Sequence, residues 1–151
     1  MTSTDHRPAA WRLFIENSVR VQTVLDERLR ASDGMTLSDY HVLLLLAEAP
    51  DRRMRMRDLS RRMVFSASRL SYQIRALADR GLVCREPVPG DRRGAFACLT
   101  DAGLDAFTAA AARHGRDVDE LFYTGLTSDD GSALESIMTR LSTRLDALEE
   151  H

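Results

Sequence analysis

The sequence predicts a mainly α-helical fold that carries one small β-hairpin. Three observations lead there. Apolar residues recur at helical spacing through most of the 151 residues. Two short runs depart from that spacing, Leu82-Val-Cys-Arg-Glu86 and Ala95-Phe-Ala-Cys-Leu99, and they flank a turn-rich stretch, Pro87-Val-Pro-Gly-Asp-Arg-Arg-Gly94. Breaker residues end the helical stretches at Asp33-Gly34, Pro50-Asp51 and Gly81.

Residues 1 to about 8 read as a loose tail. A helix is expected from near Pro8 to Ala31, with Trp11, Phe14, Ser18, Val21 and Leu25 in a stripe and Ile15, Val19 and Leu29 beside it. Thr36-Leu-Ser38 opens a second helix running through Ala49. Its Val42-Leu-Leu-Leu-Leu46 run is apolar nearly all round, which places it centrally. A short helix follows from near Met56 to Met63, facing inward with Met56, Leu59 and Met63. Val64-Phe65-Ser66 turns into a further helix, capped by Ser66 or Ser68 because a hydroxyl satisfies free N–H groups of the first turn. Two short helices joined by a tight turn make a helix-turn-helix, and a β-hairpin directly after it is a wing. Thr100-Asp-Ala-Gly103 opens a long helix with Leu104, Phe107, Ala111, His114, Val118 and Leu121 on one face. Thr127-Ser-Asp-Asp130 is read as a capping box with Asp in the usual Glu place. The last helix sets Leu134, Met138, Leu141, Leu145 and Leu148 at heptad spacing, the mark of a seam against another helix.

The helix after the turn carries the chemistry. Leu70, Ile74 and Leu77 form its apolar back. Ser68, Tyr72 and Arg75 stand opposite, with Arg69 and Ser71 on the flanks; all five donate hydrogen bonds and none is acidic. Such a front suits the DNA major groove. Arg92 and Arg93, expected at the tip of the hairpin loop, are placed to reach a phosphate or the minor groove.

Charge is distributed to match. Net charge is −2, yet residues 52–93 hold 12 arginines and four acids, a balance of +8 between acidic flanks. Apolar content of 44% and charged content of 29% are those of a soluble globular chain. The longest apolar run, Val42 to Ala47, is too short to span a membrane, and the first ten residues lack a signal-peptide core, so a cytoplasmic location and free thiols are expected. No Gly-rich phosphate loop or nucleophile elbow is present, and no catalytic arrangement is assigned.

The order of elements and the residues together resemble the MarR family of bacterial transcription regulators, from about Leu37 to Phe107. The resemblance rests on Met56-Arg-Asp-Leu-Ser-Arg-Arg-Met63, Ala78-Asp-Arg-Gly-Leu-Val83, Asp91-Arg-Arg93 and Leu99-Thr-Asp-Ala-Gly103. It implies a homodimer whose lobes read a pseudo-palindromic operator in double-stranded DNA, most often as a repressor. The parts would be an N-terminal dimerisation helix over 8–35, a winged helix-turn-helix lobe over 36–100 and C-terminal dimerisation helices over 101–150. Carried over by position, the DNA-facing residues are Ser66, Ser68, Arg69, Ser71, Tyr72 and Arg75, with Arg92 or Arg93 as the groove contact and Asp91 pairing with an arginine near the wing tip. Tyr72 stands where many relatives carry a basic or small polar residue, and Val64-Phe65 replaces a Gly-Leu type turn. The competing reading is a winged-helix module that binds protein instead of DNA; the basic segment argues against it.

Other groups have two readings each. Cys84 and Cys98 face each other if the hairpin centres on residue 91, where a disulfide or redox pair is one reading. Opposed strand residues stand ~4.5–5.5 Å apart at Cβ, wider than a disulfide's ~3.5–4.5 Å, which favours two small, semi-buried thiols. No Cys or His spacing suggests a zinc site, and no cofactor is expected. Trp11, Phe14, Tyr40, His41 and His114 are core or interface residues on one reading. On the other they frame a site for a small aromatic or phenolic effector.

Overall fold

The computed structural model describes residues 5–149; part of the expected N-terminal tail lies outside them. The described residues form six α-helices, two short 3-10 turns and a three-stranded antiparallel sheet. Two compact units divide at His114/Gly115.

In the first unit, α1 spans Arg7–Asp33 and ends on Gly34, whose φ of 65° is the left-handed cap glycine tolerates without strain. Only its C-terminal part is buried, through Leu25 and Leu29, while Trp11, Phe14, Ile15 and Val19 are exposed. Helix α2, Leu37–Glu48, opens with a reciprocal capping box between Thr36 and Asp39, 2.9 Å in each direction. Val42, Leu43 and Leu46 have no exposed surface, so the apolar run is central as its composition predicts. Helix α3, Met56–Met63, buries Leu59. Helix α4, Ala67–Asp79, buries Leu70, Ile74 and Leu77 and takes Ser66 as its N-cap, with the Arg69 N–H donating to Ser66 Oγ at 3.2 Å.

The sheet differs from the sequence expectation in two ways. A strand that the pattern does not announce, β1 at Arg53–Arg55, pairs with the far edge of the hairpin, giving the order β1-β3-β2. The hairpin strands β2, Val83–Val88, and β3, Asp91–Leu99, also run further than expected and leave only Pro89-Gly90 as the turn. Proline's fixed φ and the positive φ of Gly90, 77°, match the two central positions of a tight turn. Arg92 and Arg93 therefore belong to β3, not to the loop tip. The register sets Cys84 opposite Cys98, as expected from symmetry about residue 91, until an irregularity at Pro87/Val88.

The start of helix α5, Asp101–Leu121, locks onto the hairpin. The Thr100 hydroxyl donates to the Gly81 carbonyl at 2.7 Å and accepts from the Gly103 N–H at 2.9 Å, while the Thr100 N–H donates to the Leu82 carbonyl at 3.1 Å. A Cβ on Gly103 would lie 1.9 Å from that Leu82 oxygen. The Leu-Thr-x-x-Gly sequence thus has a steric and hydrogen-bonding cause. The first unit also ties α1 to α5 by an ion pair between the buried Asp33 carboxylate and Arg113.

The second unit contains the last turns of α5, a 3-10 turn at Tyr123–Gly125, and α6, Ser128–Glu149. Thr127 and Asp130 form the expected capping box, with the Thr127 N–H donating at 2.9 Å and the Asp130 N–H at 3.2 Å. No residue of α6 is buried; Leu141, Leu145 and Leu148 of the heptad stripe are exposed.

Candidate nucleic-acid interface

The mainly helical fold with a small β wing is a winged helix-turn-helix. Helices α3 and α4 form its two-helix part, and the turn between them has an unusual origin. Val64 ends α3 with φ 55°, ψ 42°, a left-handed conformation that β-branched residues seldom adopt. Its side chain is 84% exposed, so no packing is gained in return. The turn is held by Ser60, whose hydroxyl donates to the Phe65 carbonyl at 2.6 Å, and by the Phe65 N–H on the Ser60 carbonyl at 3.0 Å.

The front of α4 carries the residues singled out by the sequence. Ser66, Ser68, Arg69, Tyr72 and Arg75 are exposed, Tyr72 at 75%, and Ser71 is half-buried. Ser66 is occupied as the N-cap, with its oxygen 3.3 Å from that of Ser68. Arg69 lies over Phe65, its guanidinium carbon 3.7 Å from the ring centroid. That stacking holds the side chain at the helix's N-terminal end at a cation–π benefit of ~0.5–1 kcal/mol for an exposed site. Phe65 in that role is not read from the sequence, because the turn that aims it depends on the Val64 conformation.

Beside α4 runs a groove lined by Met56, Arg57, Ser60, Ser71, Arg85 and Arg93, among others. It brings the wing to the helix. Arg93 of β3 lines the groove, and Arg92 is not among its lining residues. Arg57 and Arg85 join the groove without having been singled out. The signal for Arg85 was available in the alternation of β2, which sets it opposite in direction to Cys84 and Glu86.

Ion pairing separates the basic residues into two sets. Arg52, Arg53, Arg55 and Arg80 reach Asp101, Glu86, Asp91 and Asp39 at 3.2–3.8 Å, and Arg57 and Arg61 share Asp58. Arg62, Arg69, Arg75, Arg85, Arg92 and Arg93 have no acidic partner among the described residues. Those six span α3, α4 and the wing, so positive charge is left uncompensated along this one stretch of the chain. Asp91 is structural, as the resemblance implies, but its partner is Arg55 of β1 at 3.6 Å; it also accepts from the Arg93 and Gly94 N–H groups at 3.1 Å.

The five effector residues do not form one site. Tyr40 gathers His41, Phe107 and His114, with ring centroids at 6.1, 5.4 and 4.3 Å. Loss of hydration, then the neighbouring His114, holds the pKa of His41 below the ordinary histidine value, and burial holds that of Tyr40 above the ordinary tyrosine value. Trp11 and Phe14 pair with each other at 6.3 Å on the exposed half of α1 and make no ring contact with the Tyr40 group.

The fold and these residues can be set against known proteins. A family model described as MarR family matches residues 33–94. The chain is 34% identical to AbsC, a MarR family transcriptional regulator from Streptomyces coelicolor, over 97% of this chain and 99% of that one, with a TM-score of 0.88. The chain belongs to the MarR family. A second MarR family regulator from Streptomyces coelicolor, solved in complex with DNA, is also 34% identical, over 94% of this chain and 89% of that one, with a TM-score of 0.86. A mutant MarR from E. coli, complexed with operator DNA, shares the fold at 23% identity and a TM-score of 0.77, over 93% of this chain and 99% of that one. None of the curated proteins matches. Among the described residues no helix is long and apolar enough to cross a membrane.

Proposed function

We propose that this MarR family chain binds double-stranded DNA sequence-specifically, as a cytoplasmic homodimeric repressor of a pseudo-palindromic operator. The observation that carries the reading is the set of unpaired arginines on α3, α4 and the wing, beside the hydroxyl-rich front of α4. Arginines there neutralise phosphates, and Arg69, Ser71, Tyr72 and Arg75 face base edges in the major groove. Ser66 and Ser68 contact the backbone at the helix N-terminus, and Arg92 or Arg93 reaches the adjacent minor groove. The solved DNA complexes of similar proteins support this reading.

Dimerisation is supported by the apolar residues that α1 and α6 leave in water. Burying a Leu is worth ~1.5–3 kcal/mol, so covering such a stripe with a second copy gives a substantial driving force. The division into 8–35, 36–100 and 101–150 follows the same reading. An aromatic or phenolic effector is proposed at the Tyr40, His41, His114 group. By changing the spacing of two α4 helices relative to half-sites about one helical turn apart, it would change affinity.

The test is operator binding by Arg75→Ala and Arg93→Ala at several salt concentrations. Loss of ~1–3 kcal/mol with relaxed specificity at one position per half-site is expected for Arg75. Weaker binding to every sequence with a shallower salt slope is expected for Arg93. Wild-type affinity and slope in both variants would refute the assignment.

A further inference from the structure

The hairpin carries a cluster that the DNA-binding reading does not use. Its register sets Cys84 of β2 directly against Cys98 of β3. Glu86 is two residues from Cys84 on the same strand and so emerges on the same face. The two sulfurs and a Glu86 carboxylate oxygen all lie within 4.8 Å of one another.

We propose that Cys84, Cys98 and Glu86 form a three-ligand site for a thiophilic divalent cation of the zinc and cadmium class, tying β2 to β3 at the base of the wing. Two thiolates select such cations, and a carboxylate completes a set of three protein ligands that leaves the fourth tetrahedral position to water. Sulfurs bound at ~2.3 Å to a tetrahedral ion stand ~3.8 Å apart, so side-chain rotations of about 1 Å close the set without moving the backbone. Cys98 is buried at 7% exposure, Cys84 is half-buried, and the Glu86 side chain is 49% exposed. The ion therefore enters past Glu86 and reaches the thiols last.

The ligand set is gathered by the sheet itself, since the β2–β3 register holds the two sulfurs and the Glu86 carboxylate on one face. Binding displaces one proton from each thiol to solvent, forms two metal–sulfur bonds and one metal–oxygen bond, and moves no electrons. The cation paired with Glu86 is Arg53, 3.6 Å away and 4.7 Å above the Phe96 ring, with Arg55 over the same ring at 5.8 Å. It is half-exposed, and when the ion takes the Glu86 oxygen the guanidinium remains on the ring.

The sequence alone gave no zinc spacing, because a Cys-x-Glu pair becomes a ligand set only once the strand register brings up the second cysteine. The test uses the full chain, fully reduced, titrated with Cd²⁺ and followed by the ultraviolet cadmium–thiolate charge-transfer band. One Cd²⁺ per chain is expected, with Zn²⁺ displacing it. Cys84→Ser and Cys98→Ser should each lose at least half of the band intensity and most of the affinity. Glu86→Gln, an exposed change that leaves the fold intact, should keep the band with an affinity lowered about tenfold, ~1.4 kcal/mol. No saturable band, a ratio of one ion per two chains, or unchanged affinity in Glu86→Gln would overturn the site.

Discussion

Replacing Gly103 by alanine isolates the contact that seats α5 on the hairpin. The added Cβ would lie 1.9 Å from the Leu82 carbonyl oxygen and 2.7 Å from Leu99 Cδ1. An ordinary carbon–oxygen contact needs ~3.3 Å, so backbone must separate by ~1.4 Å. That oxygen accepts from the Thr100 N–H, and the Thr100 hydroxyl bridges Gly81 and Gly103. Separation therefore strains three hydrogen bonds, each worth ~0.5–1.5 kcal/mol net. Overpacking and weakened bonds together cost ~2–4 kcal/mol. Helix propensity acts in the opposite direction, favouring alanine by ~1 kcal/mol. The expected net loss is ~1–3 kcal/mol, read as a lower urea midpoint with an unchanged slope. Gly115→Ala is the control: its Cβ meets nothing within 4 Å, so propensity alone should stabilise that variant by ~0.5–1 kcal/mol. If Gly103→Ala matched or exceeded the wild type, the steric account of the Leu-Thr-x-x-Gly sequence would be wrong.

Three further outcomes are expected. Val64→Asn should raise stability by ~0.5–1 kcal/mol, since it relieves a left-handed valine and gives up no buried surface; a lower midpoint in chemical denaturation would contradict the strain. The Arg113 guanidinium holds the Asp33 carboxyl below its ordinary value of 3.8. With a depressed carboxylate pKa, the stabilisation is present above 3.8 and is lost as pH falls through the folded value. Asp33→Asn should therefore cost ~1–3 kcal/mol at neutral pH and flatten the acid limb of a stability–pH profile; an unchanged limb would remove the pair from the account. Leu141→Asp or Leu145→Asp should abolish operator binding without touching a DNA-facing residue, because each places an unpaired charge in the proposed seam; sedimentation showing an unaltered association state would dismiss that seam.

Helices were legible because their causes are local. The α4 stripe of Leu70, Ile74 and Leu77, the Thr36 and Thr127 caps and the Gly81 stop all act within a turn or two of the chain. The opposition of Cys84 and Cys98 was legible for the same reason, since a hairpin's register follows from its centre. Strand β1 was not, because Arg-Met-Arg carries no apolar alternation and becomes a strand only when β3 offers it a free edge. The wing arginines were misplaced because a long Pro/Gly-containing stretch reads as loop, whereas they lie in the irregular first residues of β3, where the Asp91 carboxylate accepts the Arg93 and Gly94 N–H groups. Sequence likewise sets Arg69 on the polar side of α4, where it is exposed, but misses Phe65 beneath it, which depends on a valine in an unfavoured conformation. Effector residues were grouped by type alone, and tertiary packing separates Trp11 and Phe14 from the Tyr40 group.

The central claim is that the unpaired arginines and the polar front of α4 read DNA in two symmetric half-sites. Selection of fragments from the genomic pool of the source organism, with protein–DNA stoichiometry measured on the enriched fragment, tests it most directly. The account expects one pseudo-palindromic sequence, bound by two chains, with half-sites about one helical turn apart and affinity falling linearly in the logarithm of salt concentration. Enrichment of no sequence above the input pool, or binding of a single chain to an asymmetric site, would contradict it.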